Sequence, residues 1–230
     1  RKLKVQDQPV ANTVIGLTIH SIAQQIVNTK LELTEAINQL TKLWPSEIFD
    51  AQWQSEVQLV EAKNMVTALH AWIQTQSATA IGTELKFKVV HADLDVVLVG
   101  HIDLLQQTST GSFEVVDYKT GSTKPTKAEL QEHSQLGIYQ LAVSNSEELN
   151  PNQAPVSAKL VQIRLRNSKE QAVEQAAPDL ADDSWLVNQI QKAKTHLISE
   201  DLPARPGAQC RNCKVKTVCP AVPEGDQVAG

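Results

Sequence analysis

The chain has 230 residues, 41% of them hydrophobic and 20% charged, with a formal net charge of -5. That length can bury a real core, and the composition is ordinary for a globular domain. No apolar run approaches the ~20 residues of a membrane-spanning helix, and no signal-peptide pattern opens the chain, so no membrane association is expected. Arg1 is not a translational start, which suggests a fragment of a longer chain.

In chain order, Ile15, Ile19, Ile22 and Ile26 form a stripe that predicts a helix over Val14 to Val27. Leu31 to Leu43 and Gln54 to Gln76 read as further helices, the latter with Leu69, Trp72 and Ile73 on one face. The period then changes. Thr83 to Val90 alternates, and Asp95 to Leu105 and Ser112 to Tyr118 are rich in Val, Ile and Leu, so three strands are expected. Thr110-Gly111 suggests a hairpin between the last two. Lys127 to Val143 returns to helix, Val156 to Leu165 to strand, and Ser184 to Ile198 to helix, with Asp183 or Ser184 as its N-cap. Pro203, Pro206, Pro220 and Pro223 punctuate an irregular tail. The expected architecture is an α/β fold with a central mixed β-sheet flanked by helices. There is no G-x-x-x-x-G-K-[ST] phosphate loop, so no ATP-driven motor is encoded.

A negative total charge argues against a nucleic-acid partner, but its distribution matters more. Three runs are basic and acid-free: Lys119 to Lys127, Lys159 to Lys169, and Pro203 to Cys219. They read as solvated surface and only permit DNA binding.

Two carboxylates stand inside apolar strands: Ile102-Asp103-Leu104-Leu105 and Val115-Val116-Asp117. A charge in that setting is costly unless it is paired or bound to a metal. Alternation puts Asp117 and Lys119 on one strand face, and Val99, His101, Asp103 and Leu105 on another. If the strands pair as a hairpin, Asp103 and Asp117 converge. Two carboxylates with a lysine make a site for a hard divalent cation and a positioned water. The competing reading is an ion pair on an edge strand.

Val99-Gly100-His101-Ile102-Asp103-Leu104-Leu105 followed by Glu114-Val115-Val116-Asp117-Tyr118-Lys119-Thr120-Gly121 resembles the PD-(D/E)xK nuclease superfamily, in particular its RecB-like branch. Gln135-Leu136-Gly137-Ile138-Tyr139 is similar to the Q-x-x-x-Y signature of that branch, and Gly16-Leu17-Thr18-Ile19-His20 to its G-x-x-x-H helix. The wording from Glu114 to Val143 looks most like the C-terminal domain of AddB- or AdnB-type subunits of bacterial helicase–nucleases. The resemblance implies Mg²⁺ or Mn²⁺ held by His20, Asp103, Asp117 and the backbone carbonyl of Tyr118. It places Lys119, Gln135 and Tyr139 with the two aspartates in the catalytic set. It implies hydrolysis of DNA, single-stranded and by an exonuclease rather than an endonuclease, beside a helicase domain or partner subunit in double-strand break repair. On residue type alone, Gln135 and Tyr139 are a polar contact and a packing aromatic on one helix face, and His20 is a core histidine. Glu84 reads as a surface carboxylate and is left outside the metal set.

Cys210, Cys213 and Cys219 are too few and too close for a disulfide framework, which fits a reducing, cytoplasmic compartment. Thiolates at that spacing suit zinc or iron–sulfur. The RecB-like branch implies a 4Fe–4S cluster, whose fourth cysteine would precede the G-x-x-x-H helix; Arg1 to Ile15 contains none, so the cluster is expected only in a parent protein. The expected division is a nuclease domain over 1–202 and a cysteine-containing tail over 203–230 packed on it. A nuclease-like module that binds DNA or a partner with little cleavage is the alternative, and a zinc-stabilised interaction domain is a third reading.

Overall fold

The computed structural model describes residues 11–164, 172–177, 180, 183–199, 204–207, 210, 213, 215–219 and 221–222. The chain divides into two compact units, Arg1–Leu186 and Val187–Gly230.

In the first unit, α1 (Ala11–Thr29) buries the expected stripe of Ile15, Ile19, Ile22 and Ile26, joined by Ala23. Helix α2 (Leu33–Lys42) buries Ala36 and Leu40, and α3 (Gln52–Thr75) buries Ala62, Met65, Val66, Leu69 and Trp72. Between them, Trp44 stacks on Phe49 and donates its indole N–H to Ser55 Oγ at 3.0 Å, closing the α2–α3 connection. Burying each large side chain of this layer contributes roughly 1.5–3 kcal/mol.

Five strands follow: β1 (Thr79–His91), β2 (Val96–Gln107), β3 (Phe113–Lys119), β4 (Val156–Gln162) and β5 (Val173–Ala176), adjacent in that order. β1–β2, β2–β3 and β4–β5 pair antiparallel and β3–β4 parallel, so the sheet is mixed as expected. The β2–β3 turn has Gly111 at φ +86°, a conformation glycine adopts without a Cβ penalty. A parallel pair needs a crossover, and α4 (Lys127–Gln131) and α5 (Ser134–Ser144) supply it.

The sequence led to one helix from Lys127 to Val143. The structure breaks it at Glu132 and His133, whose backbones leave the helical region. His133 then caps α5, its Nδ1 accepting from the Leu136 amide at 3.4 Å. Strand β5 was not anticipated; four residues are too short for a periodic signal. β4 ends at Gln162, and Leu165, the expected end, lies outside the described residues.

One sheet face, with Leu104, Val116, Tyr118, Val161 and Ile163, forms the core with α1, α2 and α3. α5 packs against β3 and β4, where it meets Asp117, the neighbour of core-facing Val116 and Tyr118. In the second unit, helix α6 (Ser184–Ile198), which begins in the first, continues from Val187, and a short 3₁₀ turn spans Lys216–Val218.

One basic run changes its meaning. Lys159 is 8% exposed, pairs with Glu114 at 3.0 Å and Glu174 at 3.4 Å, and lies over the Trp72 ring. Arg164 donates two 2.6 Å bonds to the Glu61 carboxylate. These cations are used inside the fold; Arg166 and Lys169 lie outside the described residues.

Candidate active site

The antiparallel ladder between β2 and β3 runs from Gln107↔Phe113 to Leu104↔Val116. One step further stand Asp103 and Asp117. There Asp103 Oδ2 accepts the Tyr118 amide N–H at 2.7 Å, so a side chain takes the place of a backbone acceptor. The Lys119 carbonyl faces β4, where it accepts from the Ile163 N–H at 3.1 Å. Alternation of backbone groups along a strand then turns the Tyr118 carbonyl to the other edge, the side of Asp103.

Helix α1 brings His20 to this point. A Cβ on Gly16 would lie 3.2 Å from Thr120 Oγ1, so the glycine lets α1 approach the end of β3. One turn on, His20 Nδ1 is 3.4 Å from Asp103 Oδ1 and 3.5 Å from Glu84 Oε1. The imidazole is set edge-on to the Tyr118 ring, which is edge-on to Trp72 in turn. Donor atoms of His20, Glu84 and Asp103 lie within 4.8 Å of one another, and among the described residues this is the group able to gather round an ion.

Glu84 is therefore placed beside the site rather than on open surface. Its neighbours pair as Thr83↔Leu104 and Leu85↔Ile102, which sets Glu84 against Asp103. Its φ is +48°, left-handed in the middle of a strand, which costs a non-glycine residue about 1–3 kcal/mol. Alternation alone gave no hint of that backbone; the apolar alternation around an acid was the one signal in the sequence.

A second group adjoins the first. Lys119 Nζ sits 2.7 Å from Asp117 Oδ2 and donates to Gln135 Oε1 at 2.9 Å. The Gln135 amide donates to Asp117 Oδ1 at 2.9 Å and to the Tyr139 hydroxyl at 2.8 Å. Gln135 and Tyr139, four apart on α5, thus hold the aspartate and the lysine of β3. Asp117 stays outside the tight donor group of His20, Glu84 and Asp103, although the charges of the two groups reach each other.

Burial pushes the Asp117 carboxyl up to about 6, the Asp103 charge adds to the rise, and Lys119 and His20 oppose it. For His20, burial disfavours the cation, but the hydrogen bond and charge of Asp103, with Glu84 and Asp117 behind them, raise its pKa overall. Burial, reinforced by Asp103 and Glu84, holds the Tyr118 phenol neutral. Three carboxylates facing one imidazole and one ammonium leave an excess of negative charge, which suits a divalent cation. Oxygen donors with a single imidazole match Mg²⁺ or Mn²⁺ rather than a thiolate-seeking metal.

Cys210, Cys213 and Cys219 are free thiols in a run of turns, with Cys210 Sγ accepting from the Gly207 N–H at 3.3 Å. Their sulfurs do not gather as the His20 group does. Three ungathered thiolates do not by themselves fit a 4Fe–4S cluster, which takes four.

The family model of the PD-(D/E)XK nuclease superfamily matches residues 1–220. No curated protein matches the chain. Among solved structures, a protein from Eubacterium rectale described as a candidate exonuclease is 14% identical, with a TM-score of 0.52 over 98% of this chain and 82% of its own. A second, described only as SSO0001, is 16% identical, with a TM-score of 0.41 over 90% of this chain and 85% of its own. At 14% identity the likeness to the first concerns the fold alone. No helix among the described residues is long and apolar enough to cross a membrane.

Proposed function

The chain belongs to the PD-(D/E)XK nuclease superfamily, and on that premise we propose that it is a divalent-metal-dependent deoxyribonuclease of the RecB-like branch. The observation that carries this reading is the juxtaposition of the His20–Glu84–Asp103 group with the Asp117–Lys119–Gln135 group across the end of β2 and β3. His20, Glu84 and Asp103 would hold Mg²⁺ or Mn²⁺, with Asp117 and the Tyr118 carbonyl beside them. When bound, the ion supplies Lewis-acid polarisation of the scissile phosphodiester.

The remaining work falls to the protein's own side chains. Lys119, a third exposed and fixed by Asp117 and Gln135, orients the attacking water and stabilises charge on the phosphate in the transition state. Gln135 keeps both partners in register, its carbonyl toward the ammonium and its amide toward the carboxylate. Tyr139 fixes Gln135. The G-x-x-x-H and Q-x-x-x-Y spacings support the RecB-like assignment, and with it exonuclease action on single-stranded DNA within a helicase–nuclease that processes double-strand breaks. A 4Fe–4S cluster is proposed only for a longer parent chain that adds a fourth thiolate to Cys210, Cys213 and Cys219, and the hydrolysis does not depend on it.

The test is incubation with labelled single-stranded DNA, with and without Mg²⁺ or Mn²⁺. Cleavage should require the metal, and Asp117→Ala and Lys119→Ala should each lower it at least 10²-fold, as loss of a transition-state contact does. A melting curve and a Mn²⁺ titration on His20→Ala and Glu84→Gln accompany it. Weaker Mn²⁺ binding with the fold retained marks ligands. Unchanged Mn²⁺ affinity returns His20 to the core, where its loss should lower the melting temperature, and Glu84 to the surface. DNA binding without cleavage by the wild type would favour a non-cleaving module instead.

A further inference from the structure

The β1–β2 hairpin runs well past the sheet: β2 pairs with β3 only from Leu104 onward, and Val96 to Asp103 continue beside β1 alone. Alternation along β2 puts Val97, Val99 and His101 on one face, and Asp103, which meets His20 of α1, stands at its end. Their partners on β1 are Val90 for Val97, Lys88 for Val99 and Lys86 for His101. The opposite face, with Phe87, Val89, Leu98 and Ile102, is buried, and Phe87 packs edge-on to Tyr139. The first face is open: Val90, Val97 and Val99 are 67%, 50% and 67% exposed, and Lys86, Lys88 and His101 are exposed with them.

From this arrangement we propose that the open face of the β1–β2 hairpin is a track for a single nucleic-acid strand leading to the Asp103 end of the site, with Lys86, Lys88 and His101 meeting its phosphates and Val90, Val97 and Val99 its sugars and bases. Three observations point there. The face is continuous with Asp103, which the proposed cleavage site needs. Its rungs recur every two residues, about 6.6–6.8 Å, close to the step between phosphates of an extended strand. Its lysines are available: Lys119, Lys159 and Arg164 are held by Asp117, Glu114 and Glu61, whereas no ion pair within 4.0 Å engages Lys86 or Lys88 among the described residues. The ribbon is two strands wide, and its two lysines form one row along β1 with His101 across from Lys86, which serves one phosphate backbone.

The track rests on the nuclease reading but is tested without catalysis. Binding of fluorescent oligothymidylate to the whole chain is measured in EDTA over a salt series, for wild type and for the double variant Lys86→Ala, Lys88→Ala. Each phosphate contact contributes about 0.7 to the salt slope on a single strand. The variant should therefore lose about 1.4 from that slope and bind several-fold more weakly, with melting temperature and Mn²⁺ affinity unchanged. An unchanged slope and affinity overturn the track, and if the wild type cuts DNA with Mn²⁺ the nuclease reading survives. A wild type that neither binds nor cuts overturns both. An effect confined to a duplex of the same length overturns the single-strand assignment.

Discussion

Asp117 is 2% exposed, and its carboxyl titrates near 6 because it is buried, because Asp103 is close, and because Lys119 and His20 only partly compensate. A pKa raised on folding stabilises the native state below the unfolded value, near 4, and that contribution disappears as pH rises through about 6. His20 acts in the same direction, since its pKa is also raised. In EDTA the Asp117 share should be lost between about pH 4 and pH 6, and the His20 share as pH rises above its ordinary value near 6.5. Asp117→Asn should remove the Asp117 share, on the order of 3 kcal/mol at most. Paired melting curves against pH read this directly; parallel profiles for wild type and variant would contradict the burial argument. Mn²⁺ affinity should rise with pH, because an ion held at this site favours a neutral His20 and an ionised Asp117 beside it.

At the scale of elements, the site depends on how α1 lies against the end of β3. Gly16 sets that approach, with Thr120 Oγ1 only 3.2 Å from where its Cβ would stand. Gly16→Val should push α1 away and draw His20 off Asp103. We expect Mn²⁺ affinity to fall by roughly an order of magnitude, as for a lost support of a metal ligand, with a stability cost of about 1–3 kcal/mol for overpacking. Unchanged Mn²⁺ affinity would mean that another element fixes His20. The α4–α5 break serves a related end. His133 restarts the helix at Ser134, and Gln135 then stands in its first turn, over Asp117 and Lys119.

Across the first unit, strands and helices are also tied together by charge. Lys159 lies buried between Glu114, Glu174 and the Trp72 ring, joining β3, β4, β5 and α3. Removing one partner of a buried pair leaves a charge without compensation, so Glu114→Ala should cost about 3 kcal/mol. The double variant Lys159→Met, Glu114→Met removes both charges at similar volume and should cost clearly less. Chemical denaturation of the two variants separates them; equal losses would mean that packing over Trp72, not charge, holds the junction.

The sequence by itself determined the element types, the mixed sheet and the order of the chemistry along the chain. Isoleucines at helical spacing, alternating strands and carboxylates inside apolar runs are local patterns, and local patterns survive without coordinates. Asp103, Asp117 and Lys119 were legible because an acid inside a hydrophobic strand needs an explanation wherever it is found. Only the tertiary structure decided which donors meet. Glu84 joins His20 and Asp103 through strand register and a left-handed backbone, neither of which periodicity encodes. Lys159 and Arg164 looked like open basic surface until partners distant in sequence, Glu114 and Glu61, met them. The physical reason is the same in each case: residue type fixes what a side chain can do, while long-range pairing fixes the charges and burial it meets.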